Sequence, residues 1–178
     1  MKKQLIDSGL VQDKMGENTC MALRGLIDNS HYMQLVSSNI KCDGLSYLKE
    51  FCTVRMCGPR RSGHSTAICK IAYEYFDKVA FLSYSYDMAG YLSSTFTNML
   101  KKNSCGDIIQ HTIRETITAS GYYMFGSQNS LEMFKGREFE AIFVECTFNL
   151  SKSKENDIYR TFGPAMGNNP QKLFAFIQ

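Results

Sequence analysis

The sequence lacks long hydrophobic runs, so several classes of protein can be set aside at once. No apolar stretch approaches the roughly 18 to 20 residues that a membrane-spanning helix requires. The start of the chain also lacks the apolar region of a signal peptide. We therefore expect a cytoplasmic protein that has no membrane partner.

A strong excess of one charge is also missing. The 178 residues include 20 Lys and Arg against 17 Asp and Glu, for a formal net charge of +3. This balance does not predict electrostatic capture of nucleic acid, so DNA binding would need a local patch. The basic residues that would form such a patch are Lys101, Lys102, Arg114, Lys135, Arg137, Lys152 and Lys154.

Closely paired cysteines are absent as well. None of the seven cysteines forms the C-x-x-C pair that is typical of a zinc or redox site. We expect reduced thiols, mostly buried as small apolar groups, which again fits the cytosol.

The length and composition fit one domain with a real core, because 44% of the residues are hydrophobic. Residues 1–45 mix short apolar clusters with glycines, which predicts an N-terminal extension of short helices packed on the main body. Residues 46–178 form the predicted main domain.

In this main domain, strand and helix patterns alternate. Strands are predicted at 51–57, 78–84, 122–127, 139–146 and 173–177, and helices at 65–76, 87–100 with Asp87 as N-cap, around 131–134, and from 158 to about 166. Residues 112–118 fit either a helix or a strand. This order predicts an α/β fold with a mostly parallel central sheet and helices on both faces.

A glycine-bracketed loop follows the first predicted strand and opens a helix. Gly58 and Gly63 have the G-x-x-x-x-G spacing of a phosphate-binding loop, in the strand-loop-helix context that the motif requires. Amides and the dipole at the helix start favour an anion, and the Ser65 hydroxyl is placed to ligate Mg²⁺. The predicted nucleotide-binding residues are Gly58, Pro59, Arg60, Arg61, Ser62, Gly63, His64, Ser65 and Thr66.

His64 stands where this motif has lysine, and its shorter ring has an ordinary pKa of about 6.5. We expect Arg60 and Arg61 to substitute for the missing cation, because guanidinium groups bind phosphate oxygens in bidentate fashion. The alternative interpretation is a glycine turn that caps a helix and carries surface arginines.

A second acidic position ends the strand at 139–146. Glu145 lies where a phosphate-loop ATPase holds Mg²⁺, and Cys146 then occupies the place of the glutamate that activates water. Shifting the alignment by one residue makes Glu145 the water-activating group and puts Val144 at the metal position. Either alignment loses one of the two carboxylates, and a buried strand with one terminal carboxylate is the structural alternative.

These segments resemble the ATPase domain of viral large terminases, the DNA-packaging motors of phages, within the helicase-like P-loop group. The resemblance spans roughly residues 48–178. The similar segments are 59–66 with the arginine-bearing loop, 126–145 with a Lys135-Gly136-Arg137 turn before the acidic strand, and 163–178 with the next helix end and strand.

The resemblance implies a phage-type protein of the host cytoplasm that binds ATP with Mg²⁺ and hydrolyses it weakly or not at all. Glu145, Arg60 and Arg61 would be its catalytic residues, and Ser65 and Glu145 its metal ligands. DNA, or a DNA-processing partner of phage or host, would be its target, and homo-oligomerisation is open. The alternative is a nucleotide-free, terminase-like scaffold that binds a partner.

Overall fold

A computed structural model describes residues 14–58, 63–102, 108–146, 150–164 and 172–178. The helices are α1 Lys14–Val36, α2 Gly44–Phe51, α3 His64–Tyr75, α4 Tyr86–Lys102 and α5 Lys152–Phe162, with a 3-10 helix at Leu131–Phe134. The strands are β1 Thr53–Met56, β2 Lys78–Ser83, β3 Ile108–His111, β4 Glu115–Thr118, β5 Gly121–Ser127, β6 Ala141–Glu145 and β7 Leu173–Ile177.

The strands form one seven-stranded sheet in the order β1-β7-β6-β2-β5-β4-β3. The first five strands in this order are parallel to their neighbours, and β4 and β3 continue the sheet in antiparallel fashion. The predicted α/β class with a mostly parallel sheet is therefore confirmed. Residues 112–118, which fitted either a helix or a strand, belong to the β3–β4 hairpin.

Helices cover both faces of the sheet, as predicted. One apolar core lies between the sheet and helices α1, α3 and α4, and it includes a stacked row of Phe81, Phe125 and Phe143. The second core lies on the other face against α2, α5 and the 3-10 helix, around Phe139 and Phe162. Alternation of side chains along each strand sends successive residues to opposite cores.

In the described part of the N-terminal segment, Lys14–Val36 form one long helix where short helices were expected. In α1 the buried positions Leu23, Ile27, Ser30 and Gln34 recur at helical spacing and pack on the main domain. Gly25 lies on the exposed side of this helix with open space around its Cα, so it does not interrupt the helix. No helix of the described residues is long and apolar enough to cross a bilayer.

The start of α4 also differs from the prediction. Asp87 lies in the first turn, and Ser85 acts as the cap because its hydroxyl accepts the Met88 N–H at 3.2 Å. Ser85 and Asp87 are both residue types that suit an N-cap, so composition alone could not choose between them.

Candidate functional site at the carboxyl edge of the sheet

The carboxyl ends of β1, β7 and β6 lie side by side at one edge of the sheet. After β1 the chain continues into α3 on one face, and after β6 it continues into α5 on the other face. Ligands of open α/β sheets bind in the crevice where successive connections diverge in this way. The described ends of the predicted loop and Glu145 therefore lie at the edge of the sheet where ligands of such folds bind.

The described part of the predicted loop consists of its two ends. The Gly58 N–H donates to the Gln178 carbonyl at 3.0 Å, which ties the loop start to the end of β7. Gly63 precedes α3 with a φ of 76°, a left-handed conformation that favours glycine. Pro59, Arg60, Arg61 and Ser62, including the two predicted catalytic arginines, lie outside the described residues.

Helix α1 packs directly on the end of this loop. A Cβ built on Gly63 would lie 3.0 Å from the Cα of Gly16, so the backbones of the two segments are in close contact. Further along, the Arg24 guanidinium pairs with the Glu74 carboxylate at 2.5 Å. The two contacts show that α1 and α3 run in the same direction, and both helices begin at this edge.

The first turn of α3 presents the three predicted residues differently. Thr66 is exposed, whereas His64 and Ser65 are half-buried. Burial lowers the pKa of His64, which favours its neutral ring at pH 7. The residue at the lysine position therefore adds no full positive charge to the site.

Glu145 is the centre of the site's polar contacts. The Ser65 hydroxyl donates to Glu145 Oε1 at 3.0 Å, although the two residues are 80 positions apart in the sequence. The Ser83 hydroxyl donates to the other carboxylate oxygen, Oε2, at 3.3 Å. Burial raises the pKa of Glu145, and the two hydroxyl hydrogen bonds oppose that shift.

Cys146, one residue later, points to the opposite face of the sheet. It is 6% exposed, packs in the α5 core and donates a weak hydrogen bond to the Val144 carbonyl at 3.8 Å. Burial raises the pKa of its thiol to about 11, so it stays protonated at neutral pH. A buried, protonated thiol that faces away from Ser65 cannot act as a base for chemistry at α3.

Sequence reasoning missed two residues of the site, Ser83 and Gln128. Gln128 Nε2 donates to the backbone carbonyl of Glu145 at 2.8 Å, and the Gln128 N–H donates to the Ser83 carbonyl at 2.8 Å. Both residues come at or just after the carboxyl end of an apolar strand. That position in the sequence was the available signal, but the strand order needed to interpret it was unknown.

The donor set around Glu145 suits a Mg²⁺ ion that is completed by phosphate. The described residues contain no group of three or more His, Cys, Asp or Glu side chains that could hold a metal. Mg²⁺ in nucleotide sites is commonly bound by one or two carboxylates together with substrate phosphates and water, so an all-protein cage is not required. Glu145 and Ser65 fit such a site.

Three of the residues proposed for nucleic-acid contact interact with polar side chains nearby. Lys135 and Arg137 pair with Glu132 and Glu115, and the Lys154 ammonium donates to the Asn129 side-chain carbonyl. Among the tyrosines, which could stack on bases if exposed, Tyr73 and Tyr123 are buried in the core. The exposed tyrosines of the described residues are Tyr32, Tyr84, Tyr86 and Tyr91.

Comparison with solved structures decides the type of fold. The large-terminase ATPase domain of a Thermus phage, in its unmodified form, aligns with a TM-score of 0.53 and 10% identity, covering 78% of this chain. The chain has a terminase-like ATPase fold. A mutant of the same phage domain gives the same values.

The chain spans 64% of the length of those two matched domains. A large terminase from a thermophilic bacteriophage, solved with ADP, aligns at a TM-score of 0.48 and 11% identity over 75% of this chain and 36% of that one. No protein-family model and no curated protein matches the sequence.

Proposed function

We propose that this chain binds a nucleoside triphosphate, with ATP as the reference case, together with Mg²⁺ at the carboxyl edge of its sheet. We further propose that it hydrolyses the nucleotide weakly or not at all. The observation that carries this proposal is the 3.0 Å hydrogen bond between Ser65 Oγ and Glu145 Oε1. It joins the two residues that the sequence had assigned separately to the metal.

The chemistry of this pair supports metal binding. A serine hydroxyl has one proton to donate and two lone pairs, so donation to Glu145 leaves lone pairs available for a cation. Burial of Glu145 disfavours its charged form, and a nearby cation would favour it again. Bound Mg²⁺ would neutralise negative charge on the phosphate oxygens.

The start of α3 supports the placement of the phosphates. Helix α3 has 12 residues and begins directly after Gly63, so the N–H groups of its first turn and its dipole favour an anion at this edge. Arg60 and Arg61 are proposed to contribute the cationic charge that His64 lacks.

Two features support weak turnover. The neutral His64 ring cannot replace the lysine ammonium at the phosphates, so charge developing during transfer would be poorly stabilised. The described site also lacks a second carboxylate for activating water, since Cys146 faces the opposite core. Of the two alignments predicted for the acidic strand, the contact with Ser65 favours Glu145 on the metal side.

The terminase-like fold supports a role on DNA or beside a DNA-processing protein, with phage origin as part of the same proposal. Self-assembly is compatible with it, because motors of this kind commonly complete their sites with an arginine from a neighbouring subunit. A nucleotide-free scaffold is the competing function.

The test is calorimetric titration of ATP with and without Mg²⁺, run beside a phosphate-release assay on the same sample. We expect Mg²⁺-dependent binding with little release, and loss of that binding in Glu145→Gln. Glu138→Gln is the matched control, because the Glu138 side chain is 81% exposed. If the unmodified protein shows neither binding nor release, the scaffold function replaces the proposed one.

A further inference from the structure

We propose that Ser83 is a positioning residue of the nucleotide site, where it works with Gln128 to hold the Glu145 carboxylate against the first turn of α3. This inference rests on the proposed function and assigns a role to a residue at the end of a neighbouring strand. Each of the two carboxylate oxygens of Glu145 accepts a hydrogen bond from one serine hydroxyl.

Ser83 is oriented toward Glu145 by the sheet itself. Strands β2 and β6 are parallel, with Phe81 beside Phe143 and Leu82 beside Val144, so Ser83 comes level with Glu145 at the carboxyl edge. Phe81 and Phe143 share the core on the α3 face, and side chains two residues further along point the same way. Ser83 is fully buried, with 0% of its surface exposed.

Gln128 fixes the backbone on which this geometry depends. Its side-chain amide donates to the Glu145 carbonyl and its own N–H donates to the Ser83 carbonyl, both at 2.8 Å. One residue therefore ties together the ends of β2 and β6, and Gln128 is itself only 6% exposed. Two interactions therefore fix the position of Ser83 relative to Glu145. They are the pairing of β2 with β6 and the hydrogen bonds of Gln128.

These contacts restrict rotation of the Glu145 carboxylate. A glutamate side chain bonded only through Oε1 to Ser65 can rotate about its terminal torsions, and a second hydroxyl on Oε2 restricts that rotation. Partners that orient a metal-binding side chain typically change metal affinity by about 10- to 100-fold when removed. Ser83 is suited to that role because it donates to the carboxylate oxygen that Ser65 does not contact.

The chain provides a matched control in Ser127. This serine is the register partner of Ser83 on β5, is 1% exposed and ends its strand on the same face. Its hydroxyl accepts the Asn129 N–H at 3.2 Å, and no hydrogen bond joins it to Glu145 among the residues that the structure covers. Ser83→Ala and Ser127→Ala therefore remove the same group from equivalent, equally buried positions.

The experiment measures the Mg²⁺ concentration needed for half-maximal binding of a fluorescent ATP analogue to the full chain. We expect Ser83→Ala to need about tenfold more Mg²⁺, with the residual binding in EDTA unchanged. Ser127→Ala should match the unmodified protein, and Ser83→Thr, which keeps the hydroxyl, should restore the Mg²⁺ requirement. Thermal unfolding of each variant is recorded alongside, because a purely structural serine would change stability without changing the metal requirement.

The outcomes separate this inference from the function on which it rests. If Ser83→Ala has the same Mg²⁺ requirement as Ser127→Ala while Glu145→Gln abolishes the metal dependence, the positioning role is wrong and the proposed function stands. If the unmodified protein binds the analogue no better than Glu145→Gln at any Mg²⁺ concentration, the proposed function and the inference both fall.

Discussion

Two glutamates flank strand β6, and their surroundings differ in kind. Glu140, just before the strand, accepts the backbone N–H groups of Asp77 and Lys78 on Oε2 at 2.7 and 3.4 Å. Among the described residues, the carboxylate of Glu145, at the end of the strand, accepts from the side-chain hydroxyls of Ser65 and Ser83. Backbone amides fix a carboxylate as part of the sheet, whereas hydroxyls keep lone pairs that a cation can use.

The structural role of Glu140 and the proposed metal-binding role of Glu145 thus belong to opposite ends of one strand. At the amino edge, Glu140 joins the starts of β2 and β6, and its own backbone bonds to Lys78 and to Leu173. At the carboxyl edge, Glu145 joins β6 to the start of α3, the helix that follows the predicted phosphate loop. Substitutions at the two ends of β6 should therefore have independent effects.

The largest expected effect is on the free energy of unfolding, from a substitution in the apolar core between Glu140 and Glu145. Phe143 is 1% exposed and its ring packs against those of Phe76 and Phe81, with centroids 6.1 and 5.8 Å away. We expect Phe143→Ala to lower the free energy of unfolding by about 3–5 kcal/mol, measured by urea denaturation. Ile109→Ala, at a side chain that is 69% exposed, is the control and should change little. A small loss in Phe143→Ala would mean that the strand does not hold the two ends in place.

The next largest expected effect is on Mg²⁺-ATP binding at the start of α3, beside Glu145. His64→Lys restores a permanent cation at the first position of α3, and we expect it to tighten Mg²⁺-ATP binding by about tenfold. Thr66→Lys adds the same charge on the exposed side of that turn and serves as the control, with a smaller gain expected. The comparison is made by calorimetry at pH 7, and equal gains in the two variants would show that only net charge matters.

The smallest expected effect is on stability, and it should have opposite signs for substitutions of Glu145 and Glu140. Because burial raises the pKa of Glu145, the folded protein binds this proton more tightly than the unfolded chain. Stability due to this group therefore falls as the pH rises from the ordinary glutamate range through the raised pKa. Glu145→Gln should be slightly more stable than the unmodified protein at pH 7, and the gain should shrink as the pH falls toward that range.

At the other end, Glu140→Gln weakens the acceptor for two backbone amides and should lower stability at pH 7 by about 0.5–1.5 kcal/mol. Denaturant unfolding of both variants at pH 7 and under acidic conditions gives the two signs directly. A loss of stability in both variants at pH 7 would remove the distinction between the two carboxylates.

Local patterns were sufficient to predict most of the fold. The segments around Val79 and Ile142 are short apolar runs bounded by polar residues, and both became parallel strands at the centre of the sheet. Helix α3 was recognisable because its apolar residues recur at helical spacing after Gly63. Helix α1 was misjudged because glycines suggested breaks, although tertiary packing of its buried stripe maintains the helix.

The residues of the candidate site also fall into two groups, those that the sequence could predict and those that it could not. Glu145 and Ser65 could be proposed because each belongs to a motif with a fixed place relative to its own strand or helix. Ser83 and Gln128 could not, since their proximity to Glu145 depends on the order β6-β2-β5 in the sheet. Sequence spacing does not encode that order, and a polar residue at the end of a strand is common in any α/β protein.

A double-mutant cycle on Ser65 and Glu145 tests the central claim, that the two residues form one metal and nucleotide site. The measurement is the calorimetric affinity for Mg²⁺-ATP in Ser65→Ala, Glu145→Gln and the double variant. The account predicts a coupling energy of about 1 kcal/mol or more, with the double variant losing clearly less than the sum of the two single losses. Losses that add within about 0.5 kcal/mol, or single variants that bind like the unmodified protein, would contradict it.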